Sequence, residues 1–151
     1  MLNMLKSSQI LTLSTKPEVV VGSMVGVITG LIGGWDSTIQ VLLILTCIDI
    51  ISGLYKGIHE KNFSSRKFRE GLMNKAGYFL VVILAYQLDV LLGNSEAVIR
   101  NITVMFYIGV EGTSLLENLA ICGIPVPSFI KDRLSAIKEK ADSEEIAPQE
   151  K

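Results

Sequence analysis

The sequence predicts an all-α integral membrane protein with four transmembrane helices and a C-terminal amphipathic helix. Hydrophobic residues make up 49% of the 151 residues and charged residues only 19%, and the mean hydropathy is +0.45. The apolar residues are gathered into four nearly uncharged blocks, which indicates that lipid surrounds them. A long polar insert, residues 56–75, separates two of these blocks and carries six basic residues.

This insert is predicted to be a basic cytoplasmic loop that sets the orientation of the chain. Lys and Arg in short loops are retained on the cytoplasmic side of a membrane. Only Glu60 and Glu70 oppose them within the insert. The topology-setting residues are Lys56, Lys61, Arg66, Lys67, Arg69 and Lys75.

Counting outward from this loop gives spans at about 18–34, 39–55, 74–92 and 97–124, with both termini in the cytoplasm. Thirteen of the fourteen Lys and Arg residues then lie inside, and Arg100 is the exception. This agreement supports a multi-pass membrane protein whose basic loop and both termini lie in the cytoplasm. In a three-span alternative, the first block lies flat, and the N-terminus is then outside or peripheral to the membrane.

The first span carries a stripe of small residues. Glycines recur every fourth residue and therefore share one helix face, where their lack of side chains lets another helix approach closely. These helix-packing and oligomerisation candidates are Gly22, Gly26, Gly30 and Gly34. The stripe packs either against this chain's own second or third helix or against a neighbouring copy.

The second and fourth spans contain polar residues that lipid does not tolerate alone. A carboxylate among apolar side chains must be paired, protonated or facing water. The candidate residues for an intramembrane polar face or pore are Asp49, Glu111, Glu117 and Asn118. In the alternative readings, Asp49 reaches the interface near Lys56, and Glu117 extends to the cytoplasmic exit.

The two ends of the chain are predicted to lie in the cytoplasm. Residues 1–17 form a short N-terminal segment. Pro125 and Pro127 end the fourth span, because proline cannot continue a helix. Residues 125–141 follow as an amphipathic helix on the membrane surface or paired with a copy of itself, and residues 142–151 form a disordered charged tail.

No enzymatic site can be assembled from the sequence. His59 is the single histidine, and Cys47 and Cys122 lie in apolar runs without a nearby metal-ligand or CxxC partner. Catalysis, a metal, a cofactor and a disulfide framework are therefore not expected. No nucleic-acid motif is present, and membrane topology accounts for the basic residues.

Several short motifs together resemble a known family. Their order is Asp-Ile-Ile-Ser-Gly at 49–53, Phe-Ser-Ser-Arg at 63–66, Gly-Leu-Met-Asn-Lys at 71–75, Ala-Tyr-Gln-Leu-Asp at 85–89, a Phe-to-Asn block at 106–118, and Gly-Ile-Pro-Val-Pro at 123–127. This pattern resembles the phage lysis and toxin-secretion holin family of Gram-positive bacteria and their phages. The resemblance covers about residues 45–140, although Val110 stands where a more polar residue is expected.

The resemblance implies a non-enzymatic protein that oligomerises in the cytoplasmic membrane and opens lesions at a set time. Its partners would be the lipid bilayer, copies of itself, and an endolysin or toxin that it releases without necessary direct contact. An antiholin is a further partner and also an alternative identity. A small ion channel or transporter, or a membrane anchor, remains a competing interpretation of the same residues.

Overall fold

The computed structural model describes residues 16–146, with side-chain environments through residue 143. These residues form five α-helices, which we label α1 to α5 in chain order. Their bounds are Pro17–Leu31, Ser37–His59, Ser65–Leu92, Val98–Ile121 and Ser128–Ile146. The predicted N-terminal segment, apart from its last residues, and the end of the predicted tail lie outside the described residues.

Helix ends follow from local chemistry. The Asp36 carboxylate accepts a hydrogen bond from the Ile39 amide at 3.0 Å and caps α2, and the Ser64 side chain caps α3. Gly93 caps the C-terminal end of α3, and its φ of +73° is the left-handed conformation that glycine adopts without steric strain. The Pro at the start of α1 occupies a position where its missing N–H costs no helical hydrogen bond.

α4 is the central helix of the bundle, because α2, α3 and α5 all pack against it. The buried apolar core lies mainly between α2, α3 and α4. Its members are Ile32, Ile39, Leu42, Val82, Val104 and Ile108. α1 buries no residue, and the segment after it meets α3 where Gly33 lies against the Tyr86 ring.

Two of the described helices are long and apolar enough to cross a membrane, namely α2 and α3. At 1.5 Å per residue they extend about 35 and 42 Å, against a hydrocarbon core of about 30 Å. Large apolar side chains on their outer faces are exposed, including Leu80 at 68% and Leu91 at 80%. α1 has only 15 residues, and α4 carries Arg100, Glu111 and Glu117.

Three features differ from the sequence-based expectations. The predicted basic loop 56–75 is mostly helical, because α2 continues to His59 and α3 begins at Ser65. Only residues 60–64 connect them, and the left-handed Lys61, with φ of +53°, lies in that turn. α5 extends to Ile146, five residues into the tail that was expected to be disordered.

The third difference concerns the position of α5, which was expected on the membrane surface or against a copy. In the structure α5 packs antiparallel to α4. A Cβ on Gly109 would lie 2.8 Å from Lys138 Cβ, and one on Gly112 would lie 2.6 Å from Leu134 Cδ2. The two glycines therefore let α5 approach α4 closely, which binary patterning alone does not reveal.

Candidate functional site

A buried polar cluster joins α2, α3 and α4. The Lys75 ammonium lies 2.9 Å from Asp49 Oδ2, and 2.7 Å and 2.5 Å from the two oxygens of Glu111. The Asn118 amide donates to Asp49 Oδ1 at 2.9 Å and to the Ser52 hydroxyl at 3.1 Å. The polar atoms thus form one connected network across three helices.

Helical spacing brings these side chains together. Asp49 and Ser52 are three residues apart on α2, and Glu111 and Asn118 are seven residues apart on α4, so each pair shares a helix face. A Cβ on Gly53 would lie 3.7 Å from the Asn118 amide nitrogen. The small residue after Ser52 therefore leaves room for the α2–α4 contact at the level of the cluster.

The charges of the cluster are nearly, but not fully, balanced. Two carboxylates share one ammonium, and Lys75 supplies three N–H donors that match the three carboxylate oxygens around it. The side chain of Glu111 is 1% exposed, that of Asp49 7% and that of Lys75 13%. Removing the shared Lys75 ammonium would leave two buried carboxylates without a cation, which is far more costly than losing an exposed pair.

The sequence left open whether the intramembrane carboxylates are paired, protonated or facing water, and Lys75 was interpreted only as a topology signal. In the structure Lys75 lies within α3, near the start of the predicted third span, and its ammonium pairs with carboxylates of α2 and α4. Three of the four predicted polar-face residues are brought together, whereas Glu117 is exposed on α4 and outside the cluster. The signal that sequence reasoning missed was the basic residue at the inner end of a span, within reach of two acids.

Thr46 is a further polar residue on the same face of α2, one turn before Asp49. It is 5% exposed, and its hydroxyl is the one buried side-chain polar atom of the described residues that lacks a hydrogen-bond partner. A buried hydroxyl without a partner is unfavourable. Sequence analysis did not select it, although its spacing of three residues from Asp49 places it on the polar face.

A second polar network lies at the opposite end of the bundle. The Arg100 side chain is 2% exposed, pairs with Asp36, and donates to the Ile32 carbonyl at 2.7 Å. Asp89 is fully buried and accepts bonds from the Ile99 and Arg100 amides at 3.0 and 2.8 Å. Asp89, near the end of α3, therefore caps the start of α4.

Asp36 lies outside the predicted spans and is partly exposed. Burial opposes ionisation of its carboxyl group, but hydrogen bonds from Arg100, the Ile39 amide and Thr38, together with the Arg100 charge, outweigh that effect. They lower the pKa of Asp36 from 3.8 to about 2. Arg100, the one basic residue predicted to lie outside, therefore has a partner that stays charged in all but strongly acidic conditions.

The glycine stripe faces open space in the described chain. A Cβ at Gly22, Gly26 or Gly30 would meet no other atom within 4 Å. Gly34 lies three residues beyond the end of α1 with φ of +107°, so it belongs to the turn and not to the helix face. Packing of the stripe against this chain's second or third helix is absent among residues 16–146.

The sequence of the chain matches a known protein family. The model of the bacteriophage holin family matches residues 26–139. The chain belongs to the bacteriophage holin family. This match agrees with the resemblance seen in the sequence motifs, and the family consists of non-enzymatic membrane proteins.

Similar proteins occur in a phage and in bacteria. A "Probable holin" of Bacillus phage phi105 is 39% identical over 104 residues, which cover 69% of this chain and 76% of the relative. An uncharacterized protein of Clostridium perfringens strain 13 is 35% identical over 112 residues, covering 74% and 83% of the two chains. No solved structure matches this chain.

The region matched by the holin family contains the whole polar cluster. It begins at residue 26 within α1 and ends at residue 139 within α5. Asp49, Lys75, Glu111 and Asn118 all lie inside it, as does Arg100. Gly22 lies before it, so the stripe is only partly within the matched region.

Proposed function

We propose that this chain is a holin that oligomerises in the cytoplasmic membrane of a bacterial host. The oligomer opens lesions through which a cytoplasmic endolysin, or a toxin, leaves the cell. The observation that carries the proposal is the Asp49, Lys75, Glu111 and Asn118 cluster, a charged network enclosed in a bundle with an apolar exterior. Membership of the holin family supports the same function.

The proposed mechanism assigns different roles to two surfaces. In the closed subunit, the cluster neutralises most of its charge internally, so the subunit can reside in lipid. The open Gly22, Gly26 and Gly30 face lets neighbouring copies pack closely. At a critical density the helices rearrange, the contact between α2 and α4 opens, and the polar face meets water.

We further propose a four-span topology with both termini in the cytoplasm. The α2–α3 turn, with exposed Arg66, Lys67 and Arg69 after it, supports a cytoplasmic position for that end of both candidate spans. α1 would cross as a short span. α4 would cross despite its charges, because Arg100 and Glu111 are paired and Glu117 lies one turn from the cytoplasmic end of the helix.

Reporter fusions at each end of the chain distinguish the topologies. A C-terminal reporter that is active only in the cytoplasm tests whether α4 crosses, and an N-terminal one tests whether α1 crosses. Four spans require both ends inside. An external N-terminus with an internal C-terminus would instead support the three-span alternative.

The proposed function is tested by induced expression in a bacterial host, with and without a cytoplasmic endolysin. We expect delayed, sudden depolarisation, appearance of the enzyme outside the membrane, and lysis only when endolysin is present. Depolarisation without enzyme release would indicate a channel or transporter. An intact, polarised membrane despite confirmed insertion would indicate an anchor or antiholin, and both results would contradict the proposal.

The glycine face is tested separately by replacing Gly26 and Gly30 with Leu. Because no atom lies near either position in the subunit, the fold should tolerate both side chains, whereas close packing between copies should not. We expect a changed lysis time at equal membrane abundance, with Val25→Leu as the exposed control on the same helix. Unchanged timing would contradict the oligomerisation role.

A further inference from the structure

A cleft of about 420 Å³ opens beside the polar cluster, at the end of the bundle that carries the α2–α3 turn. Its walls come from α2, α3, the turn between them and α4. Gly53, Gly57 and Gly71 line it. A Cβ added at Gly71 would meet no atom within 4 Å, so the absence of side chains there leaves open volume.

Two lysines at this cleft are not used by the polar cluster. Lys56 comes from α2 and Lys67 from the first turn of α3, and both line the cleft. Neither has an ion-pair partner among the described residues, in contrast to Lys75 at the floor, which is held by two carboxylates. Glu60 also lines the cleft and opposes them.

The surroundings of these lysines favour an anion with an attached apolar part. The N-terminus of α3 lies at the cleft, and its dipole, together with the first-turn amides that Ser64 does not cap, attracts negative charge. Phe68 and Leu72 line the same cleft and are 37% and 47% exposed. A free phosphate ion would use the charges but would leave this apolar wall uncovered.

We propose that the cleft binds an anionic phospholipid of the cytoplasmic leaflet. Lys56 and Lys67 contact the headgroup phosphate, and the Phe68 and Leu72 wall contacts the start of an acyl chain. Basic pockets between membrane helices on the cytoplasmic side recognise lipid headgroups in this way. The inference requires that α2 and α3 lie in the membrane with their turn inside, but it does not require lesion formation.

The test is native mass spectrometry of the full chain in neutral detergent. Short-chain phosphatidylglycerol, phosphatidylcholine and inorganic phosphate are titrated separately. We expect phosphatidylglycerol to bind more tightly than phosphatidylcholine, and free phosphate not to displace it at equal concentration. Phosphate that binds as tightly as phosphatidylglycerol would overturn the lipid assignment, and equal binding of the two lipids would overturn the headgroup contact.

Matched variants separate a specific cleft from general surface charge. Replacing Lys56 and Lys67 with Gln should weaken phosphatidylglycerol binding by about fivefold for each lysine. Lys61 and Arg69 are exposed basic residues of the same region that do not line the cleft, so their double Gln variant should bind within about twofold of the unmodified chain. Equal losses in both double variants would overturn the proposal.

Two further substitutions test the cleft without removing a positive charge. Glu60→Gln removes the opposing carboxylate and should strengthen phosphatidylglycerol binding. Gly71→Leu should obstruct the cleft and weaken binding, whereas Gly77→Leu, at an open position of α3 that does not line the cleft, should not. Binding unaffected by Gly71→Leu in a chain of unchanged melting temperature would overturn the assigned location.

Loss of lipid binding and failure of the holin function give different results. The binding assay uses purified protein and needs neither endolysin nor a host membrane potential. A chain that releases endolysin but does not bind phosphatidylglycerol would refute the lipid site alone. A chain that binds phosphatidylglycerol through Lys56 and Lys67 but never releases endolysin would refute the proposed function alone.

Discussion

Replacing Lys75 with Met should be among the most damaging single changes in the bundle. Two ion contacts are lost, to Asp49 at 2.9 Å and to Glu111 at 2.5 Å. At an effective dielectric constant of 20, one such contact has a gross Coulomb energy of about 6 kcal/mol. The net loss of stability is smaller, because removing the ammonium also removes the free-energy cost of burying it. Removing one partner of a buried ion pair typically destabilises a protein by about 3–5 kcal/mol.

The charges of the cluster predict an order of stability. The unmodified cluster carries two negative charges and one positive charge, and Lys75→Met leaves two buried carboxylates without a cation. Glu111→Gln leaves a neutral Lys75 and Asp49 pair and should cost far less. The double variant leaves one carboxylate and should therefore be more stable than Lys75→Met alone, which is a non-additive result.

Thermal unfolding of the purified chain in detergent measures this order. For a chain of this length, a loss of 3–5 kcal/mol corresponds to a fall in melting temperature of about 10 °C. Arg69→Met is the control, because Arg69 is exposed on the same helix and should change the melting temperature little. A Lys75→Met variant that melts like Arg69→Met, or a double variant that is less stable than Lys75→Met alone, would refute this order.

Three other predictions concern the ends and the rim of the bundle. Arg100→Met should destabilise by about 2 kcal/mol in thermal unfolding, because the Ile32 carbonyl loses its buried donor and the half-exposed Asp36 loses its ion-pair partner; a change below about 0.5 kcal/mol would contradict this role. The Asp36 carboxyl has its pKa lowered to about 2, so its contribution to stability is present above pH about 4 and is lost as the pH falls toward 2. Asp36→Asn should remove that part of the acid dependence, and identical melting profiles of the two chains between pH 5 and 2 would refute it. Gly109→Ala should separate α5 from α4 and cost about 1–3 kcal/mol, because the new Cβ meets the Lys138 backbone and Cβ; faster amide exchange in α5 measures this, and Gly77→Ala, with open space around it, is the control that should not change it.

Sequence reasoning identified the helical membrane class, the holin family and most of the polar face. Long apolar runs identify α2 and α3 because length and composition suffice for that inference. Residues 49, 111 and 118 were selected because charge and amide groups in apolar runs require a partner or water. A charged or amide group in an apolar run thus predicts contact with a partner or with water, but the sequence does not distinguish between them.

The identity of the partner depends on tertiary contacts that periodicity does not encode. Lys75 was counted with its basic neighbours because its rotation toward α2 and α4 is visible only once the helices are packed. Similarly, α5 has an apolar face suited to either lipid or protein, and only the close approach to Gly109 selects α4. The predicted loop at residues 56–75 was longer than the observed turn at residues 60–64, because polar residues on exposed helix ends resemble a loop in sequence.

Water access to Thr46 tests most directly whether the buried polar face opens. Thr46→Cys replaces the hydroxyl and methyl groups with one thiol, so it adds no bulk, and it breaks no hydrogen bond, since the hydroxyl has no partner among the described residues. The measurement uses a chain with Cys47 and Cys122 replaced by Ser. Inverted membrane vesicles are prepared from cells taken before and after lysis begins, and they are labelled with a charged thiol reagent. Ile44→Cys, on the exposed apolar side of α2, is the matched control. The account predicts that residue 46 reacts only after lysis begins while residue 44 stays unreactive; a residue 46 that remains unreactive in vesicles with open lesions would contradict it.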